Sequence, residues 1–166
     1  MYPPELVQPM RDELKVVGFQ ELLTPADVDR AVTQKGTTLC VINSICGCAA
    51  GAARPGIAAA LQHAKIPDHL VTVFAGMEGE ATARVREYHR DVAPPSSPSM
   101  VFFKDGQVIG VVPRGQIEGR GPEEIAEGLK GVFDQHCSKA GPSIPPEAFA
   151  KLGFAKSCGS NIPRRG

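Results

Sequence analysis

The chain has 166 residues, 42% of them hydrophobic, with 18 basic and 18 acidic side chains and a formal net charge of zero. That length suits one compact domain able to bury roughly 70% of its unfolded-chain surface, so a core needs no disulfide staples. Balanced charge without a basic stripe, no Trp and only 2 Tyr exclude an evident electrostatic or base-stacking footprint for nucleic acid. Met1 to Leu14 mixes Pro, Glu, Arg and Asp with scattered apolar residues and does not read as a signal peptide. Val7, Met10, Leu14 and Val17 predict an amphipathic helix over about 4–18, weakened at Pro9. Thr24-Pro25-Ala26-Asp27 predicts a helix start running to about Gln34: Thr24 caps, Pro25 suits the first helical position and Asp27 the positive end. Thr37 to Asn43 holds an unalternated apolar run, as in a strand buried on both faces.

After Cys46-Gly47-Cys48, the Ala-rich stretch Ala49 to Ala64 predicts a helix bent near Pro55-Gly56. His69 to Ala75 reads as a second buried strand, Glu80 to Arg90 as a helix with a charge-rich solvated face, and Ala93 to Pro98 as a Pro/Ser loop. Met100–Phe103 and Gln107–Val112 are strands joined by Lys104-Asp105-Gly106, a strong hairpin signal. Gly121-Pro122 opens a last helix with Ile125, Leu129, Val132 and Phe133 on its buried stripe. The order predicts an α/β, thioredoxin-like fold: a central mixed sheet flanked by helices, with extra helices at the N-terminus. The domain is expected over 1–139, followed by a flexible extension over 140–166 with a short helical turn near Glu147 to Leu152. No run of about 18 apolar residues occurs, so no membrane span is expected. A cytoplasmic location follows from these readings, and there disulfides are mostly transient and catalytic.

Five cysteines, Cys40, Cys46, Cys48, Cys137 and Cys158, suit a redox or metal site better than a structural framework. Cys46 and Cys48 fall between a predicted strand and a predicted helix start. The first N–H groups of a helix lack partners and carry partial positive charge, which stabilises a thiolate. Gly47, Ala49, Ala50 and Gly51 leave room for a bulky disulfide. A bridge across one intervening residue closes a tight ring, so it is expected to be strained and readily reduced, with Gly47 relaxing the backbone. Such a bridge suits shuffling disulfides or removing a small thiol cap. Soft-metal or iron–sulfur binding, with His136 or Cys137 joining, is the alternative, although no second close pair completes four ligands. No metal and no organic cofactor are expected.

Ser97-Pro98-Ser99 ahead of a strand and hairpin matches the loop in which thioredoxins place a cis-proline against their cysteines. A cis X-Pro bond costs only about 0.5–1 kcal/mol, and Ser97 would offer backbone hydrogen bonds to an extended substrate. Cys40 reads as packing, Arg54 as a residue pairing either with a substrate acid or with a local carboxylate, and His63, His69 and His89 as surface residues.

The run Val41 to Pro55 containing Cys46-Gly47-Cys48-Ala49-Ala50-Gly51, together with Val71 to Gly76, Ser96 to Met100, Pro113-Arg114, Glu118-Gly119 and His136-Cys137, resembles the bacilliredoxins. The resemblance spans about residues 4–137. It implies thioredoxin-like proteins with a CXC site that remove bacillithiol from S-bacillithiolated proteins, with disulfide isomerase activity also attributed to members. It puts the nucleophile at Cys46 and resolution at Cys48 or a free thiol. Gly47, Ser97, Pro98 and Arg54 are the expected substrate-binding residues. Bacillithiol would be a co-substrate, and the partners would be S-bacillithiolated or disulfide-containing client proteins and a low-molecular-weight thiol. Two departures stand out. The tail with Cys158 runs past the family's usual end, and Cys40 occupies the place where thioredoxins often put a buried carboxylate that assists proton transfer.

Overall fold

A computed structural model of the chain describes residues 1–153. Helix α1 (Pro4–Lys15) runs through Pro9 and buries Val7 and Leu14. A two-residue strand β1 (Gln20–Glu21), absent from the sequence reading, precedes α2 (Pro25–Val32). The expected start of α2 is a full capping box: Thr24 Oγ1 accepts from Asp27 N, and the Asp27 side chain accepts from Thr24 N. Strand β2 (Thr37–Asn43) is buried at every position. Strands β3 (Lys65–Ile66) and β4 (His69–Phe74), helix α4 (Gly79–His89), strands β5 (Ser99–Lys104) and β6 (Gln107–Val112) and helix α5 (Pro122–His136) follow, with α3 (Arg54–Ala60) lying between β2 and β3.

The sheet order is β1-β4-β2-β5-β6, with β1, β4 and β2 parallel and β5 and β6 antiparallel to their neighbours. β2 is central, which explains its unbroken apolar sequence. Leu39 and Val41 pack with Leu14, Ile57, Leu61, Phe102, Leu129 and Phe133 on one face. Cys40 and Ile42 pack with Val28, Val32, Val73 and Val85 on the other. Strand alternation sends neighbours to opposite faces, so covering both faces with helices leaves no polar side. The hairpin turns at Asp105 (φ 49°) and Gly106 (φ 85°), the positive-φ pair that a two-residue hairpin requires.

Three further findings differ from the sequence reading. Between Cys48 and α3, Ala49–Ala53 form π-helical turns, with Arg54 N donating to Ala49 O. Pro55 has no N–H, and its ring conflicts with an α-helical carbonyl at Gly51 four residues earlier. The helix therefore widens before the proline, and its small residues allow it. Second, His89 is 1% exposed, not a surface residue, with its Nδ1 against Ala93 O at 3.2 Å. Third, the start of the expected extension is packed. Strand β7 (Lys139–Ala140) pairs with β3, Gly141 N donates to Ala64 O, Ser143 N donates to Leu61 O, and Gln62 Nε2 donates to Ile144 O. Ile144, Phe149 and Leu152 rest on the α3/α5 core, with a short helix α6 (Pro146–Ala150) where a helical turn is expected. Cys158 and residues 154–166 lie outside the described residues.

Candidate active site

β2 ends at Asn43, and the chain turns through Ser44 and Ile45 into helical residues that begin at Gly47. Cys46 thus stands at the N-terminal edge of the helix, its carbonyl accepting from Ala49 N and Ala50 N at 3.1 and 3.3 Å. Cys46 Sγ and Cys48 Sγ are 3.0 Å apart, both half-buried, with exposed Gly47 between them. Ser44 Oγ accepts from Cys46 N at 3.2 Å.

The two thiols ionise differently. Burial opposes loss of the Cys46 proton, but the hydrogen bonds of Cys48, Ser44 and the Ala49 backbone, with the Arg114 charge, outweigh it and hold this thiol below the ordinary value. Burial pushes the Cys48 thiol up, the hydrogen bond and negative charge of Cys46 add to this, and it reaches about 11. The two environments thus favour the thiolate on Cys46 over the thiolate on Cys48.

The cis-proline loop lies across from this turn. Ser97-Pro98 is cis, and the antiparallel register Ile42↔Ser99 carries Pro98 toward the end of β2. Pro98 itself is buried and Ser97 half-buried. The Ser97 carbonyl already accepts from Arg114 Nη1 at 3.2 Å, and Ser96 Oγ accepts from Arg114 N at 3.1 Å. Arg114 also reaches Glu118 at 3.2 Å through Nε.

Arg54, expected among the substrate-binding residues, points inward and is 2% exposed. Its Nε donates to Glu13 Oε1 at 2.7 Å, and its Nη1 donates to Asn43 Oδ1 at 3.0 Å and Ser44 O at 2.8 Å. Asn43 Oδ1 in turn accepts from Ser44 N, and Asn43 Nδ2 donates to Met10 O. This fork ties α1, the end of β2 and the helix together, and holds the backbone at Ser44, two residues before Cys46.

Cys46, Gly47, Cys48, Ser97 and Pro98 are thus brought to one end of the sheet. Cys40 faces the α2/α4 core, and burial pushes its thiol up to about 12. Cys137 is buried near Thr37, Asp68 and Lys104, at the start of β2. The seven-residue strand puts about 20 Å between that end and the Cys46 turn, so Cys137 is no third ligand to the pair. Among the described residues no three His, Cys, Asp or Glu side chains gather as a metal site. The sequence reading missed Ser44, Asn43 and Glu13, and it quoted Arg114 and Glu118 without a role. Ser44 and Asn43 border the cysteines in sequence. Glu13 is 41 residues from Arg54 and carries no local signal.

A family model described as disulphide isomerase matches residues 2–137. The chain is 53% identical over 137 residues to a bacilliredoxin of Halalkalibacterium halodurans, covering 82% of this chain and 94% of that one. It is 51% identical over 135 residues to a bacilliredoxin of Cytophaga hutchinsonii, covering 81% and 99%. Among solved structures, a thioredoxin point mutant from Halobacterium salinarum NRC-1 superposes with a TM-score of 0.50 at 14% identity, covering 75% of this chain and 96% of that one, a likeness of fold. No helix among the described residues is long and apolar enough to cross a membrane. With half its residues shared across four-fifths of its length, and a cysteine pair set at a strand–helix junction of a thioredoxin fold, the chain belongs to the bacilliredoxin family of thiol–disulfide oxidoreductases.

Proposed function

We propose that the protein removes bacillithiol from S-bacillithiolated client proteins through Cys46 and Cys48. The observation that carries this reading is the division of labour between sulfurs 3.0 Å apart, one held toward the thiolate and one held protonated. Cys46 thiolate attacks the bacillithiol sulfur of the mixed disulfide. A Cys46–bacillithiol bond forms, the client–bacillithiol bond breaks, and the client sulfur leaves as a thiolate that takes a proton from water. The exchange conserves the oxidation level.

Once Cys46 is capped, its charge and its hydrogen bond no longer hold the Cys48 proton, while Arg114 still favours the anion. Cys48 then loses its proton to water and attacks Cys46. Bacillithiol leaves as a thiolate and is protonated, and a Cys46–Cys48 disulfide remains. Two equivalents of a low-molecular-weight thiol, which leave as their own disulfide, or one dithiol reductase, which becomes oxidised, supply the two electrons and two protons that return it to the dithiol. Bacillithiol serves as co-substrate, with no metal or organic cofactor. The reading places the reaction in the cytoplasm, where small thiols are kept reduced. Ser97 and Gly47 line the approach, and Arg54 acts by positioning the Cys46 turn.

The test mixes reduced protein with a bacillithiolated model client and follows intact masses. A bacillithiol adduct that accumulates on Cys48→Ala, with the client freed, and is absent from Cys46→Ala is the expected result. No adduct on any variant and a client that stays capped would end this reading. The description of the matching family model favours a second reading, general disulfide isomerisation. Turnover of a scrambled disulfide protein without bacillithiol would support it.

A further inference from the structure

Resting on the reading above, we infer that Arg114 is the binding site for the carboxylates of an anionic low-molecular-weight thiol while that thiol's sulfur is joined to Cys46. Bacillithiol is a cysteinyl glucosamine linked to malate, so its cap carries negative charge as well as sulfur.

Arg114 is held where such a charge would fall. The register Met100↔Val112 brings the end of β6 beside the cis-proline loop. Arg114 is fixed there by its backbone N–H on Ser96 Oγ and by Nη1 on Ser97 O. Nε is taken by Glu118. Nη2 makes no hydrogen bond among the described residues, and 42% of the side chain remains exposed. An arginine already oriented on two sides presents its remaining edge at low entropic cost, and a guanidinium suits a carboxylate better than an ammonium does. Its field reaches both Cys46 and Cys48.

Room is available as well. Gly115 and Gly119 face open space. Further along the same segment, Gln116 and Arg120 line a groove of about 250 Å³ with Met100, Val112 and Glu124, next to Arg114 in sequence but not lined by it. Glu118 opposes an incoming anion by its charge, although it orients the guanidinium.

One client protein, capped either with bacillithiol or with uncharged 2-mercaptoethanol, separates ligand binding from thiolate tuning. The measured quantity is the ratio of release rates, anionic cap over neutral cap. Arg114→Gln is expected to lower the ratio about 10-fold, a loss of about 1.4 kcal/mol. Arg114→Lys is expected to restore part of it, and Glu118→Gln to raise it. Arg30→Gln, on the far side of the sheet, controls for net charge. A ratio unchanged in Arg114→Gln, or lowered equally by Arg30→Gln, overturns the subsite. If the wild-type protein leaves the bacillithiol cap in place yet removes the neutral one, the debacillithiolation reading falls too, and the two failures are told apart by that wild-type rate.

Discussion

The Cys46 and Cys48 thiols are pushed in opposite directions although they touch, because the hydrogen bond between them favours the anion on Cys46 and the proton on Cys48, where burial adds to the difference. The alkylation rate of Cys46 should rise through a midpoint below that of an ordinary thiol. The groups holding it down act in the order Cys48, Ser44, Ala49 backbone and Arg114. Cys48→Ala should therefore raise the midpoint most, Ser44→Ala less and Arg114→Gln least. A pH profile of iodoacetamide labelling read by mass checks this, and an inverted order would show that helix-end and long-range charge outweigh the local hydrogen bonds. Arg54 makes a different argument. Its guanidinium satisfies a carboxylate, an amide oxygen and a carbonyl at once. Arg54→Met should cost about 2–4 kcal/mol in urea unfolding. Arg54→Lys should recover only part, since one ammonium does not span the fork.

At the scale of elements, α3 and α5 approach so closely that a Cβ on Gly56 would lie 2.6 Å from Ile125 Cβ. That atom is close to the backbone and gives way only if a helix shifts. Gly56→Ala should therefore destabilise by about 1–3 kcal/mol despite its better helix propensity. A thermal melt showing stabilisation would mean that α5 moves freely. The widened turn over Ala49–Ala53 has the same logic of small residues at Ala49, Ala52 and Ala53, where bulky side chains would meet the core that the turn buries. Most of these elements are visible in the sequence: the Thr24 to Asp27 cap, the Asp105-Gly106 turn and the unbroken apolar run of β2 each carry a local physical cause. The β1 and β3/β7 strands are two residues long each, too short to show periodicity, and exist only because a paired edge is present.

At the scale of the whole molecule, buried thiols make stability depend on alkali. Burial pushes Cys40 up to about 12 and raises Cys137, and Cys48 reaches about 11. Above the ordinary thiol value the unfolded chain loses these protons first, so it binds fewer protons than the native state and stability falls as pH rises toward those values. Cys46 has the opposite sign: its contribution is present above the ordinary value and is lost as pH falls through its lowered one. Reduced protein unfolded in urea near pH 7 and near pH 10 should show the alkaline loss, and Cys40→Val should lessen the difference between the two. An equal difference in that variant would place the loss elsewhere.

By itself the sequence determined the α/β order, the packed two-faced core and the cysteine pair at a strand–helix junction, because caps, turns and apolar spacing act over a few residues. The docking of residues 139–152, the inward turn of Arg54 onto Glu13 and the placement of Arg114 beside Ser97 were decided only by tertiary structure. Each joins chain segments far apart in sequence, and a buried guanidinium takes whichever acceptors the folded backbone brings within reach.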